Sequence, residues 1–452
     1  MKTTHPSLRR RALVLVAALG LVAAACGSDD DSSSDSAAPA TDAAATENST
    51  TADSGGDGEA VEIDWWHIQN NDPGLSDWQA MADTYMEANP NVKIKITVME
   101  NEAFKAALQT NLQSGDVPDL FQSWGGGGLR DQVDAGLVQD ITDASSDFVG
   151  DLSEGATSLY QVDGKQYGIP FDAGMVGFWY NKGLFAKAGI TEAPATWTDF
   201  LADVQKLKDA GITPIAVGAG DKWPAHFYYA YLLLRIGGQK LMEDIAADGN
   251  WDRPEVVKAG EELKKLIDLK PFQSGFLASP WPGADGEGGI VGSGKAAMDL
   301  MGQWAPGEFS NAGANGGDLP FELGWFPFPG VDGGAGAPTD AFGGGNGFAV
   351  GKDAPPEAVD FLKFITNVDN ASVWGKDSGL PVTKGAEGSV TDPNQQQVLT
   401  GLTDASFVQL YLDQYFSPEL GAAVNDAVQT LFAGTASPEQ VAKTITQAAQ
   451  SS

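Results

Sequence analysis

Polar and apolar positions alternate through Val61-Glu-Ile-Asp-Trp-Trp-His67 and again through Val92-Lys-Ile-Lys-Ile-Thr-Val98. That period predicts two half-buried strands. Between them, Trp78, Met81 and Tyr85 recur at helical spacing over Asp77 to Ala88, and Asn89-Pro90-Asn91 ends the helix. A second helix carries Phe104, Leu108 and Leu112 and stops at Ser114-Gly115, after which Asp119 to Trp124 reads as a third strand running into four glycines, 125–128. Strand, helix, strand, helix, strand predicts a parallel doubly wound lobe. Ligands bind such sheets beyond the carboxyl ends of the strands. Those ends carry His67 with Asn70 and Asn71, then Glu100-Asn101-Glu102, then Trp124.

The stretch from Gly164 to Phe185 reads differently. Tyr167 and Ile169 begin a strand that Pro170 closes, and strand character returns at Val176, Phe178 and Tyr180. Proline removes a ladder donor and glycine frees the backbone, so Pro170 and Gly174 predict a break, with Asp172 at the joint of a crossover between two lobes. A second α/β lobe is expected to follow. Its helices fall over Thr198 to Ala210, near 225–236 and over 254–268, and a strand over Lys295–Met301 leads to Gly302-Gln303-Trp304. Gly324 to Gly330 reads as a second crossover, near Phe326–Pro329, and Phe342 to Val350 as a return. Gly379-Leu-Pro-Val382 reads as a third crossover. The expected architecture is α/β, with a first lobe from 59–171 and 342–378 and a second from 172–341 and 379–452. No repeat of fixed period is present.

The N-terminal residues are of another kind. Lys2, Arg9, Arg10 and Arg11 precede an apolar run, Ala12 to Ala25, too short to span a bilayer comfortably. Small residues then lead to Cys26, the one cysteine of the chain. This resembles a bacterial lipoprotein signal (residues 1–25) in which Cys26 is acylated and becomes the mature terminus; the arginine run leaves twin-arginine export open. Residues 26–58 read as a disordered acidic tether, since 27–58 hold eight acidic residues and no Lys or Arg. Losing the four leader charges takes the net charge from −34 to −38, which argues against nucleic acid and anionic membranes as partners. Only Arg130, Arg235 and Arg253 follow the leader, and Arg is the usual bidentate partner of phosphates and carboxylates. An uncharged ligand is expected.

Several segments together resemble family 1 extracellular solute-binding proteins, the receptors of ABC sugar importers, similar in fold to maltose-binding protein. They are Gly115-Asp-Val-Pro-Asp-Leu120, Tyr167-Gly-Ile-Pro170 with Phe178-Trp-Tyr-Asn-Lys182 and Leu184-Phe185, and Thr196-Trp-Thr-Asp-Phe200. Gly294-Lys-Ala-Ala-Met298 with Gly302-Gln-Trp304, and Gly347-Phe-Ala-Val350, complete the set, in order over about residues 60–450. The resemblance implies a type II periplasmic-binding-protein-like fold with three hinge crossovers and a cleft that closes on a carbohydrate.

Of the 12 tryptophans, Trp65, Trp78, Trp179, Trp325 and Trp374 lie in regular segments and read as core. Trp124, Trp223, Trp281 and Trp304 lie at strand ends or in Gly/Pro loops, open to either a core or a contact role. Sugars have apolar C–H faces and a polar rim, so their sites need flat rings beside hydrogen-bonding groups. The polar candidates are His67, Asn71, Glu102, Asp172, Lys222, Gln303 and Asn346. Asp172 has a bland alternative as a turn cap, Asn346 as a left-handed turn residue, and His67 as a satisfied strand-end histidine. Gly289 to Ala296 nearly spells a phosphate-binding loop, but it ends in Ala and lacks a preceding apolar strand. His67 and His226 have no cysteine near them, so neither a metal nor a cofactor is expected.

The expected function is a non-enzymatic, lipid-anchored receptor on the outer face of the cell membrane. It would act as a monomer, capturing a di- or oligosaccharide by hinge closure and delivering it to an ABC permease. The alternatives are a secreted glycoside hydrolase, which needs two facing carboxylates, or the same fold binding a peptide or polyamine.

Overall fold

The computed structural model describes residues 59–313 and 317–451; the expected leader, Cys26 and the tether lie outside them. In the first core, strands β1 (Val61–His67), β2 (Val92–Val98) and β3 (Leu120–Ser123) are parallel with β1 in the middle. Alternation turns Ile63, Trp65 and His67 inward and leaves Lys93 and Lys95 exposed. The connecting helices are Gly74–Ala88 and Asn101–Ser114. The second starts where the Glu100 carboxylate accepts from the amides of Glu102 and Ala103, and stops at Gly115, φ 77°. Trp65 anchors this core, with ring centroids 5.6 Å from Trp78, 5.2 Å from Phe348 and 5.0 Å from Phe361, all edge-on.

Strand β4 (Gly168–Met175) leaves this core, and β5 (Gly177–Asn181) enters the second. There β5 pairs antiparallel with β7 (Ala296–Met301) and β8 (Leu323–Pro327), while β6 (Thr213–Ile215) pairs parallel with β7. The long helix Trp223–Asp248 runs through the second core, and its residues 223–235 are all buried. Its apolar character on every face is that of an interior helix. Within this span Gly238, φ 67° and ψ −171°, is non-helical and kinks the chain, so two helices meet there and the first ends close to the segment expected near 225–236. The phosphate-loop look-alike is the short helix Glu287–Gly292 leading into β7, the reverse of strand–loop–helix order. All five tryptophans read as core are buried.

Buried Arg235 is a structural surprise of the sequence. Its guanidinium donates to the carbonyls of Phe328 (2.9 Å), Pro329 (3.2 Å), Ala337 (3.1 Å) and Asp340 (2.7 Å) and lies 5.0 Å from the Tyr231 ring centroid. Those carbonyls belong to residues 328–340, which would otherwise carry unpaired acceptors into the interior. The segment expected as the second crossover, Phe326–Pro329, is therefore held on the second lobe, and the crossing comes later.

It comes in β9 (Ala341–Val350), whose Phe342 lies in the second core and Phe348 in the first. Beside it β4 runs antiparallel from Ile169 and Phe171 in the first core to Met175 in the second. The other edge of β9 takes β10 (Val408–Leu410) at Ala341–Gly343 and β3 at Gly347–Val350. Contrary to expectation, β4 is continuous through Pro170 and Asp172. It nevertheless carries the irregularity: Asn346 and Gly347 of β9 are consecutive but oppose Asp172 and Pro170, so Phe171 of β4 is the extra, unpaired residue of a bulge. A proline lacking its N–H is tolerated where the ladder is already interrupted. The third passage places Leu380 in the second core and Val382 in the first, with Leu380 accepting from Ala173 N (3.0 Å). Thr383 and Lys384 still pair with Leu152 and Asp151 of the first lobe, and Val390 rejoins the second core.

Removing the guanidinium that donates to these four carbonyls should be costly, since each buried orphan acceptor costs about 1–3 kcal/mol. Arg235→Met is expected to lower unfolding free energy by at least about 3 kcal/mol in urea melts. A loss below 1 kcal/mol, roughly the surface-mutation range, would show that the guanidinium does not hold residues 328–340.

Candidate functional site

A cavity of about 680 Å³ lies between the two lobes. The first lobe lines it from the carboxyl ends of its strands: Gln69, Asn70 and Asn71 after β1, Glu100, Asn101 and Lys105 after β2, and Trp124 after β3. The second lobe contributes Trp223, Phe227, Trp281, Trp304, Glu308 and Tyr411, and Gln303, Asn346 and Gln395 also line the cavity.

The second-lobe wall is a continuous aromatic belt. Trp223 lies 6.0 Å from Trp281, 6.4 Å from Trp304 and 5.3 Å from Phe227 between ring centroids. Tyr411 joins it at 6.2 Å from Trp304 and 5.6 Å from Phe227. Its rings hold one another edge-on or tilted, with Phe227 and Tyr411 stacked, so the wall is rigid. Across the cleft, Trp124 packs 6.1 Å from Phe104 and has the Lys105 ammonium 5.5 Å from its ring centroid. The lining carries the carboxylates Asp72, Glu100, Glu308, Asp377, Asp392 and Asp413 against Lys105 and Lys376. Anions are disfavoured in such a space.

Of the expected residues, Asn71, Trp124, Trp223, Trp281, Gln303, Trp304 and Asn346 line the cavity together. The other four stand elsewhere. His67 is wholly buried beneath β1's end, where burial pushes it down to about 4; its neutral Nδ1 accepts from Gln69 N (3.2 Å) and sets the loop to Asn71. Glu102 is on the exposed first turn of its helix, paired with Lys105 at 3.2 Å. Lys222 faces outward and pairs with Asp426.

Asp172 lies at the crossing of β4 and β9, 3% exposed, with the cavity lined by its partners rather than by itself. Its Oδ1 accepts from the Asn346 backbone N (3.0 Å) and Nδ2 (2.8 Å), and its Oδ2 from Gln303 Nε2 (3.3 Å). Asn346 Oδ1 in turn accepts from Gln122 Nε2 of β3 (2.9 Å). Burial raises Asp172 to about 6 despite these donors. Gly174 makes room for the arrangement, since a Cβ there would fall 1.9 Å from Gln303 Oε1.

Sequence reasoning missed Lys105, Phe227, Glu308, Gln395 and Tyr411. Lys105 stands one turn after Asn101, and Glu308 one turn after Trp304, so helical spacing from the recognised residues was a usable signal. Phe227 is one of many aromatics in an apolar run. Tyr411 follows a three-residue strand whose pairing is invisible locally. Among the described residues, no group of three His, Cys, Asp or Glu is placed to hold a metal ion, and no helix is long and apolar enough to cross a membrane.

Comparison with known proteins adds the following. The sequence model of the bacterial extracellular solute-binding protein family matches residues 71–372. The multiple sugar-binding protein of Streptococcus mutans is 25% identical over 346 residues, 73% of this chain and 77% of that protein. The diacetylchitobiose binding protein of Streptomyces coelicolor is 27% identical over 340 residues, 74% of this chain and 76% of that one. A structure from work on xylan utilisation by the thermophilic bacterium Caldanaerobius polysaccharolyticus superposes with a TM-score of 0.79 at 28% identity, covering 85% of this chain and 99% of that one.

The Asp172 carboxyl gives a pH test. A pKa raised from 3.8 to about 6 means the fold favours the protonated form. That contribution is complete below 3.8 and disappears as pH rises through about 6, a change on the order of 2–3 kcal/mol. Asp172→Asn should flatten this part of the stability–pH profile in chemical denaturation between pH 4 and 7; the slope is the readout. Parallel profiles for the two proteins would place the titration elsewhere.

Proposed function

Because this chain belongs to the bacterial extracellular solute-binding proteins, we propose that it captures a neutral di- or oligosaccharide between its lobes and delivers it to the permease of an ABC importer. Family membership makes it an exported binding protein. The observation that carries the sugar reading is the belt of Trp281, Trp223, Trp304, Tyr411 and Phe227 in a cleft whose lining also carries amides and carboxylates. Aromatic faces suit the apolar C–H faces of pyranose rings, and Asn70, Asn71, Asn101, Asn346, Gln395 and the carboxylates suit hydroxyls. The cavity volume, about 680 Å³, falls within the roughly 300–1,000 Å³ range of small-molecule sites. The surplus of carboxylates supports a neutral rather than an acidic sugar. Relatives named for multiple sugars and for diacetylchitobiose, and the superposable structure from work on xylan utilisation, support the same class.

No bond is made or broken in this function. Ligand contacts on both walls favour the closed arrangement of the lobes and shift the population towards it. Residues 59–171 and 342–378 would move as one lobe and 172–341 and 379–452 as the other, with β4, β9 and residues 379–390 as the hinge. Acylation of Cys26 would tether the monomer to the outer face of the cell membrane beside its permease. Replacing Cys26 with Ala should then shift the protein from the membrane fraction to the medium; retention with the membranes would remove the anchor.

Calorimetric titration with xylo-, cello-, malto- and chito-oligosaccharides is expected to give binding heat with at least one series. Trp304→Ala should weaken that binding about three- to tenfold, the equivalent of one aromatic contact worth about 0.5–1.5 kcal/mol. No heat from any series would sink the carbohydrate reading, and unchanged affinity in the variant would take the belt out of the site.

A further inference from the structure

We propose that Glu308 is a positioning residue that couples the Trp281 wall of the cleft to closure of the lobes. The inference rests on the reading of the chain as a hinge-closing receptor, but not on which ligand it takes. Glu308 belongs to the helix Ala305–Ala312 and is 8% exposed. Its Oε1 accepts from the backbone N–H of Gly283 at 2.7 Å, and its Oε2 from Asn71 Nδ2 at 2.9 Å. Gly283 is two residues after Trp281 in the second lobe; Asn71 is in the loop after β1 in the first. One carboxylate therefore touches both sides of the mouth.

Its neighbours explain why this contact is specific. The loop that carries Trp281 is held at two backbone amides by two carboxylates: Asp221 Oδ2 accepts from Trp281 N at 2.7 Å, and Glu308 from Gly283 N. Of the two, Glu308 also reaches across the cleft. The helix Glu287–Gly292 packs closely behind it, where a Cβ on Gly288 would fall 2.5 Å from Glu308 Cγ, so the side chain has little room to swing aside. On the first lobe, the Asn71 loop is braced from below by His67 Nδ1. A second bond, Asn311 Nδ2 to the Asp72 carbonyl at 2.7 Å, runs parallel between the same helix and the same loop. Gly283 and Glu308 share the second lobe, so of the two bonds only the one from Asn71 depends on the lobes meeting.

A latch at the mouth that closes the unliganded lobes also holds a ligand once it has entered. Most affinity differences among related complexes lie in escape rather than entry. Loss of either partner should therefore raise koff and, because the unliganded closed state empties as well, should not lower kon.

The test needs no ligand and so stands or falls apart from the carbohydrate reading. With Cys26 replaced by Ala, one spin label is placed on each lobe and the interlobe distance distribution is read by double electron–electron resonance. Wild type is expected to populate the short distance substantially, and Asn71→Ala and Glu308→Ala to move most of that population to the longer one. Glu308→Gln should behave like wild type, because its carbonyl can accept from Gly283 N while its amide donates to Asn71 Oδ1 after that side chain turns over. Asp221→Ala, which loosens Trp281 without touching the cross-lobe contact, should keep the wild-type distribution. Where a saccharide from the calorimetric series binds, stopped-flow release should quicken at least about tenfold in Asn71→Ala, the factor that about 1.4 kcal/mol corresponds to. The proposal is overturned if the wild-type distribution lacks the short distance, or if Asn71→Ala and Glu308→Ala leave it unchanged. Opening by Asp221→Ala as large as that of Glu308→Ala would overturn it equally.

Discussion

The pairing of β4 with β9 is the constraint on which the rest depends. Two adjacent antiparallel strands pass from one hydrophobic core to the other, and at their crossing Asp172 faces Asn346 across a register shift. A buried carboxylate at that point accepts from both strands' neighbours, so each lobe is referenced to the same few atoms. Gln122 ties the first-lobe sheet to Asn346, and Gln303 ties the second lobe to Asp172. The aromatic belt and the first-lobe loops are positioned at all because their sheets meet at this joint. A flexible linker would not fix where Trp304 lies relative to Trp124.

The same joint marks where sequence reasoning worked and where it stopped. Alternation in β1 and β2 and helical spacing of Trp78, Met81 and Tyr85 are local signals, and the first lobe followed from them. Pro170, Gly174 and Asp172 did signal an exceptional place, but the strand itself does not break. The irregularity is a bulge that leaves Phe171 unpaired between Pro170 and Asp172, and the local pattern could not tell a bulge from a break because the partner strand, at Asn346 and Gly347, lies more than 170 residues away. Arg235 shows the reverse error. The scarcity of arginine was read as a statement about the ligand, whereas this arginine spends its donors on the carbonyls of residues 328–340. The cleft wall was half legible: isolated loop tryptophans stand out, but Phe227 and Tyr411 are hidden among core aromatics of the same composition.

Charge has two separate uses in this molecule. The chain is acidic, with 61 Asp and Glu against 27 Lys and Arg, and among the described residues pairs such as Lys93–Glu62 and Lys264–Asp268 are exposed. Pairs of that kind are worth little, about 0–1 kcal/mol each. The buried or nearly buried charged groups are few, and several organise backbone rather than one another: Arg235 collects four carbonyls, Glu308 takes a loop amide, and Asp172 takes the Asn346 amide. A charge placed against backbone dipoles fixes irregular chain, and irregular chain is where this fold builds its crossing segments and cleft walls.

Hinge and mouth then make complementary demands. At the hinge the network includes Asn346 and Gln303, which also line the cavity, so a ligand touching either side chain acts on the joint itself. At the mouth, Asn71 and Glu308 are likewise lining residues and cross-lobe partners at once. A molecule in the cavity is thus in contact with groups that set the lobes' relative position at both ends. The energy it can contribute to closure is limited to the difference between its contacts in the closed and open arrangements. A ligand that touches both Gln303 and Asn71 would gain its first-lobe contacts on closure, whereas one resting on the belt alone would gain few. Reach across the cleft, more than any single polar contact, would then set how far a ligand favours closure.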